Sequence, residues 1–109
     1  MTDVVQVATT TGNREEAQRI AAELIDKHLA ACVQLSGPIT SYYHWEGRLE
    51  TSQEWRLTVK TTLEMYDRVE ETIRSLHLYD LPEILATPVV AGSEVYVRWV
   101  KDEVTEGRS

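Results

Sequence analysis

The stretch from Cys32 to Lys60 constrains this chain most, because it is written as two long strands joined by one tight turn. Cys32 to Trp45 is rich in β-branched and aromatic residues, interrupted only by Gly37-Pro38 as a bulge or bend would interrupt it. Glu46-Gly47 then supplies the turn. Beyond it Leu49, Thr51, Gln53, Trp55, Leu57 and Val59 alternate with Arg48, Glu50, Glu54, Arg56, Thr58 and Lys60, a period of two with one apolar face over its second half. The pattern predicts a long hairpin, and its exposed edge invites association with another chain.

The flanking segments supply the rest of a sheet and its cover. Val4 to Thr10 is a β-branched run closed by Thr11-Gly12, a first strand and its turn. Asn13 followed by Glu16 has the form of a capping box, and Ala17, Ile20, Ala21, Leu24 and His28 share one helical face, which predicts a helix over 14–30. Thr61 with Glu64 opens a second helix, with Tyr66, Val69, Ile73 and Leu76 on one side and an end near His77. Glu83 to Ala91 reads as a fourth strand that Pro88 pushes to an edge. From Ser93 to Val104 two readings stand: Val95 to Val100 alternates like a strand, while Ser93, Glu94 and the Tyr96, Trp99, Val100 spacing suit a capped helix. Residues 105–109 read as a frayed end. The order strand, helix, strand, strand, helix, strand is the split βαβ, or ferredoxin-like, arrangement of an α+β fold, here with a long β-hairpin.

With 109 residues there is room for one domain, residues 1–109, and none for a separate catalytic module. Eleven Lys and Arg against eighteen Asp and Glu leave a net charge of −7, the wrong sign for nucleic acid or an anionic membrane and a better one for a cationic partner or plain solubility. No apolar run reaches the ~20 residues of a spanning helix, so membrane insertion is not expected and the cytoplasm is the expected setting. The single Cys32 excludes an internal disulfide and a multi-cysteine zinc cluster, leaving His and carboxylates as the main metal donors.

Four places could carry chemistry. His44 and Glu46, two apart, could chelate a divalent ion, or simply be polar groups at a solvated hairpin tip. Lys60 and Thr61 end a strand where a helix begins, a common ligand position, but also where an edge lysine and a helix cap belong. Cys32 is a nucleophile only beside a histidine, and otherwise a small core residue. His77-Leu78-Tyr79-Asp80-Leu81-Pro82-Glu83 gathers an imidazole, a phenol and two carboxylates, suited to zinc or copper, to acid–base work, or to satisfying backbone at a helix end. No glycine-rich nucleotide loop and no G-x-S-x-G elbow is present, so no organic cofactor is expected.

The strings Ala31-Cys32-Val33, Ile39 to Gly47, Lys60-Thr61, His77 to Ile84 and Tyr96 to Val100, in this order and spacing, resemble the CutA divalent-cation tolerance family over residues 4 to about 103. That resemblance implies a subunit shaped like PII signalling proteins, a tight homotrimer and a helical tail. It also implies an association with tolerance of copper and other divalent ions, and no established reaction. Cys32, Trp45, Glu46, Lys60, Thr61, His77, Tyr79, Pro82 and Glu83 match the family's signature positions, thought to meet at a cleft between subunits. The expected roles are His77, Glu46 and Glu83 toward a copper or zinc ion, Lys60 and Thr61 toward an anionic small molecule, and Trp45 and Tyr79 as walls. Where copper ligands have been placed in the family, at a Cys ending the first strand and a His pair after the second helix, this chain has Ala8, Leu76 and a single His77. The rival readings are a small enzyme using His77, Glu83 and Lys60, and a structural trimer scaffold.

Overall fold

A computed structural model describes residues 1–104; the expected frayed end at 105–109 lies outside them. In chain order the elements are β1 (Val4–Thr11), α1 (Arg14–Asp26), β2 (Cys32–Trp45), β3 (Arg48–Thr62), a 3₁₀ turn at Leu63–Met65, α2 (Tyr66–Leu76), β4 (Leu85–Pro88) and α3 (Glu94–Glu103). The four strands form one antiparallel sheet in the order β2-β3-β1-β4, as the split βαβ reading requires.

Register assigns the two faces. Val5 lies opposite Thr61, Val7 opposite Val59 and Thr9 opposite Leu57, and these buried residues make one face. Against it pack Ala17, Ile20 and Leu24 of α1 with Val69 and Ile73 of α2, forming the core. The opposite face carries the row Cys32, Lys60, Gln6 and Thr87, and Lys60 Nζ donates to Gln6 Oε1 at 2.7 Å. α3 packs against β3 and β1 through Val100, with Lys101 reaching Asp3 at 3.2 Å.

Several boundaries differ from the expected ones for definite reasons. α1 stops at Asp26 rather than residue 30, because His28 takes φ 58° and closes a Schellman motif. In it His28 N donates to the Ile25 carbonyl and Leu29 N to the Leu24 carbonyl, both at 3.0 Å. His28 therefore leaves the helical face assigned to it, and the chain turns to bury Leu29 and Ala30. Thr61 does not cap α2: β3 runs on to Thr62, and the Thr61 hydroxyl, fully buried, donates to the Leu29 carbonyl at 2.7 Å. β4 is four residues long rather than nine, although Val89 N still donates to the Val4 carbonyl beyond it. The tail is helical, with the Ser93 hydroxyl accepting from Tyr96 N at 3.2 Å, so the strand-like alternation of 95–100 gives way to the cap.

The hairpin is as long as its sequence predicts. Trp45 pairs with Arg48 across a two-residue turn in which Glu46 (φ 51°) and Gly47 (φ 78°) both adopt positive φ, the type I′ geometry that matches strand twist. At Gly37-Pro38 the register slips by one residue, from Ser36 opposite Arg56 to Ile39 opposite Glu54. A Cβ on Gly37 would stand 2.6 Å from Trp55 Cδ1, so glycine is required where the bulge lets that ring lie against the backbone.

Candidate functional site: a groove between the hairpin and the 77–83 loop

β3 is longer than β1, and past Trp55 toward the tip the hairpin has no β1 residue beside it. The loop after α2 fills that place. Between the loop and the hairpin runs a groove of about 850 Å³, walled on one side by Tyr43, Trp45, Glu50 and Glu54 and on the other by Leu78, Tyr79, Asp80, Leu81 and Glu83. Thr10, Ser41, Tyr42 and His44 complete its lining. Four lining residues are carboxylates and none is Lys or Arg.

A hydrogen-bond chain fixes the loop to the sheet. Asn13 Oδ1 accepts from Glu16 N at 2.7 Å, the first half of the expected capping box. The second half does not form, because the Glu16 side chain is buried and turned to the loop, its Oε2 accepting from Leu78 N at 2.8 Å. That oxygen also lies 3.3 Å from His77 Nδ1. The Thr10 carbonyl can only accept, so His77 Nε2 carries a hydrogen and donates to it at 2.7 Å. Tyr79 N donates to His77 Nδ1 at 3.1 Å. The Tyr79 hydroxyl donates to Glu54 Oε2 at 2.9 Å, and the Ser41 hydroxyl to Glu54 Oε1 at 2.6 Å. Burial first, then the hydrogen bond and charge of Glu54, push the Tyr79 phenol up to about 12. Among the described residues Glu54 forms no ion pair, and its two carboxyl oxygens accept from the Ser41 and Tyr79 hydroxyls.

Comparison with known proteins decides the family. Residues 5–103 match the family model described as "CutA1 divalent ion tolerance protein". This chain belongs to the CutA family. A divalent-cation tolerance protein CutA of Thermus thermophilus is 38% identical over 96 residues, covering 88% of this chain and 93% of that protein. A solved structure of a divalent cation tolerance protein, Cut A1, from Thermus thermophilus superposes with a TM-score of 0.91 at 35% identity, covering 94% of this chain and 99% of that one. The rice protein CutA 1, chloroplastic, is 36% identical over 102 residues, 94% of this chain but 58% of that protein. The chain thus spans little more than half the length of its plant relatives and nearly all of the bacterial one. The family description names a tolerance to divalent ions, not a reaction. Among the described residues no helix is long and apolar enough to cross a membrane.

Within this CutA subunit the residues singled out from sequence separate into three groups. Trp45, Tyr79 and Glu83 line the groove, with Glu46 in the adjoining turn and Pro82 just before Glu83. Cys32 and Lys60 pair across the open sheet face at the other end of β2, roughly 40 Å of extended strand from Trp45. Thr61 faces the core beside them, its hydroxyl already spent, so it is not available to an anion. His77 is the clearest correction. Its side chain has no exposed surface and both ring nitrogens are engaged inside the subunit, which leaves no lone pair for a metal. The carboxylate nearest its ring is Glu16 rather than Glu83, so the acid–base arrangement of His77, Glu83 and Lys60 is not formed in the subunit. Among the described residues no three His, Cys, Asp or Glu side chains come together as a metal site. Sequence reasoning passes over Glu16 and Glu54. Glu16 looks like an ordinary capping-box acid, and Glu54 like one solvent-facing position in an alternating strand.

Proposed function

We propose that this CutA-family protein acts in divalent-cation tolerance by binding cations in the groove between the hairpin and the 77–83 loop. The observation that carries the reading is the lining: four carboxylates, aromatic rings and no lysine or arginine, in a chain of net charge −7. Such a groove attracts positive charge and repels the anionic ligand that Lys60 and Thr61 suggested. Copper or zinc held there draws on groove carboxylates such as Glu83 together with donors from a neighbouring subunit, since no three donors meet within one subunit, and not on His77.

A homotrimer is part of the proposal. It is supported by the apolar surface left outside the core: Val95, Tyr96 and Trp99 on α3, and Leu85 on the edge strand β4, are exposed in the single subunit. Cyclic assembly covers such edges and closes on itself. The proposed setting is the cytoplasm, to be tested by cell fractionation, since relatives include a rice protein named as chloroplastic and a solved Archaeoglobus fulgidus protein named as periplasmic.

The test is calorimetric titration of the intact protein with copper(II) and zinc(II), beside Glu83→Gln and Lys60→Ala. Saturable binding weakened by the first variant and unchanged by the second is the expected result. Binding that survives Glu83→Gln together with Glu50→Gln overturns the assignment to this groove.

A further inference from the structure

The loop wall of the groove hangs on one residue. Among the described residues, Tyr79 makes the only hydrogen bonds of the segment 79–83, its N–H to His77 Nδ1 at 3.1 Å and its hydroxyl to Glu54 Oε2 at 2.9 Å. The first of these bonds is contested. A neutral imidazole has a single accepting nitrogen, and here that nitrogen takes the Tyr79 N–H. Glu16 Oε2, itself an acceptor toward Leu78 N, stands 3.3 Å from the same Nδ1. Two acceptors thus face each other where the His77 and Glu16 side chains are 0% and 1% exposed. Around the ring, α1 presents Glu16, and the loop presents Tyr79, its ring centroid 5.0 Å away. β1 presents the Thr10 carbonyl, and β3 reaches the cluster through Glu54 on the Tyr79 hydroxyl. The charge in the last turn of α2, Arg74, is exposed beside Glu70.

We infer that His77 and Glu16 form a proton-operated latch on this wall: a proton taken up from solvent by His77 Nδ1 pairs that nitrogen with Glu16 Oε2 and releases the Tyr79 N–H. The step turns Nδ1 from acceptor to donor and breaks no covalent bond, while Nε2 keeps its hydrogen on the Thr10 carbonyl. The bond gained is charge-assisted and buried, and stronger than the neutral one given up. A proton also needs none of the room that a metal ion would. Leu78 N stays on Glu16, so release begins at Tyr79 and leaves 79–83 tied to the sheet by the phenol alone. Every group of the latch belongs to one subunit, so its working depends neither on the ligand the groove takes nor on a neighbouring subunit.

The test is ¹⁵N NMR of the intact, metal-free protein from pH 8 to pH 5, following the histidine rings and the backbone amides together. His77 Nδ1 is expected to pass from an unprotonated to a protonated nitrogen. The Tyr79 amide should shift with the same midpoint and lose about 2- to 10-fold of its hydrogen-exchange protection factor, while the Leu78 amide keeps its own. His28 and His44 serve as references, since the Tyr79 amide must follow His77 and neither of them. Glu16→Gln removes the carboxylate that receives the proton-bearing nitrogen, so in that variant the Tyr79 amide should stay protected where the parent protein loses protection. A His77 ring unchanged down to pH 5, or a His77 that gains its proton while Tyr79 stays protected, overturns the inference. So does a Glu16→Gln protein that behaves like the parent; should that variant not fold, the first two outcomes decide on the parent protein alone.

Discussion

Glu16 and His77 show how much of the candidate site is framework. A carboxylate and an imidazole, both with essentially no exposed side-chain surface, join the start of α1 to the loop after α2. His77→Ala leaves the Thr10 carbonyl without its donor and the Tyr79 N–H without its acceptor. We expect that variant to lose about 2–3 kcal/mol of stability in urea unfolding; a loss below about 1 kcal/mol would show these two hydrogen bonds to be dispensable. Tyr79 makes a separate prediction. Its phenol is held up to about 12 by burial and by Glu54, against about 10 in the unfolded chain, so the folded state holds this proton more tightly. Its contribution is therefore complete below about pH 10 and is lost as pH rises toward 12. Alkaline unfolding should show a drop in that window, diminished in Tyr79→Phe. Neither Glu16 nor Glu54 is legible as a partner from sequence, because separations of 62 residues for Glu16 to Leu78 and 25 for Glu54 to Tyr79 leave no periodic trace.

At the scale of elements, periodicity locates the strands and helices, while their ends are set by contacts it does not encode. The alternation of 49–59 and the apolar spacing of α2 each have a direct physical cause in burial on one face. The end of α1 does not, since the apolar face runs on formally to His28 while a left-handed residue there closes the helix. His28→Gly removes the steric cost of that conformation and should raise stability by up to about 1 kcal/mol in thermal or urea unfolding. Gly37→Ala is the converse case, because the new methyl meets the Trp55 ring and the Glu54 carbonyl. A loss of about 1–3 kcal/mol is expected there, with the Trp55 indole environment changed in fluorescence or NMR. The fourth strand is shorter than its sequence predicts for a related reason: Pro88 has no N–H to donate, and pairing beyond it depends on Val4 and Thr2.

For the molecule as a whole, the fold and the membership in the CutA family are legible because five short strings keep their spacing across the chain, whereas the site is legible only in part. Trp45, Tyr79 and Glu83 do meet, but Cys32 and Lys60 lie at the far end of the hairpin, and only a neighbouring subunit could bring such groups to the groove. Sedimentation equilibrium should accordingly give about three times the 12.5 kDa chain mass, and a monomer at micromolar concentration would remove the proposed assembly. The claim on which the account turns is that cations enter the groove and not the His77 cluster. The chain has three tryptophans, one in the groove (Trp45), one beneath the bulge (Trp55) and one on α3 (Trp99), so their indole N–H signals report on three separate places. In a two-dimensional ¹⁵N NMR titration with zinc(II), the account predicts that the Trp45 signal moves first and furthest while the His77 ring signals hold. A still Trp45 signal with His77 ring signals that shift or vanish would contradict it.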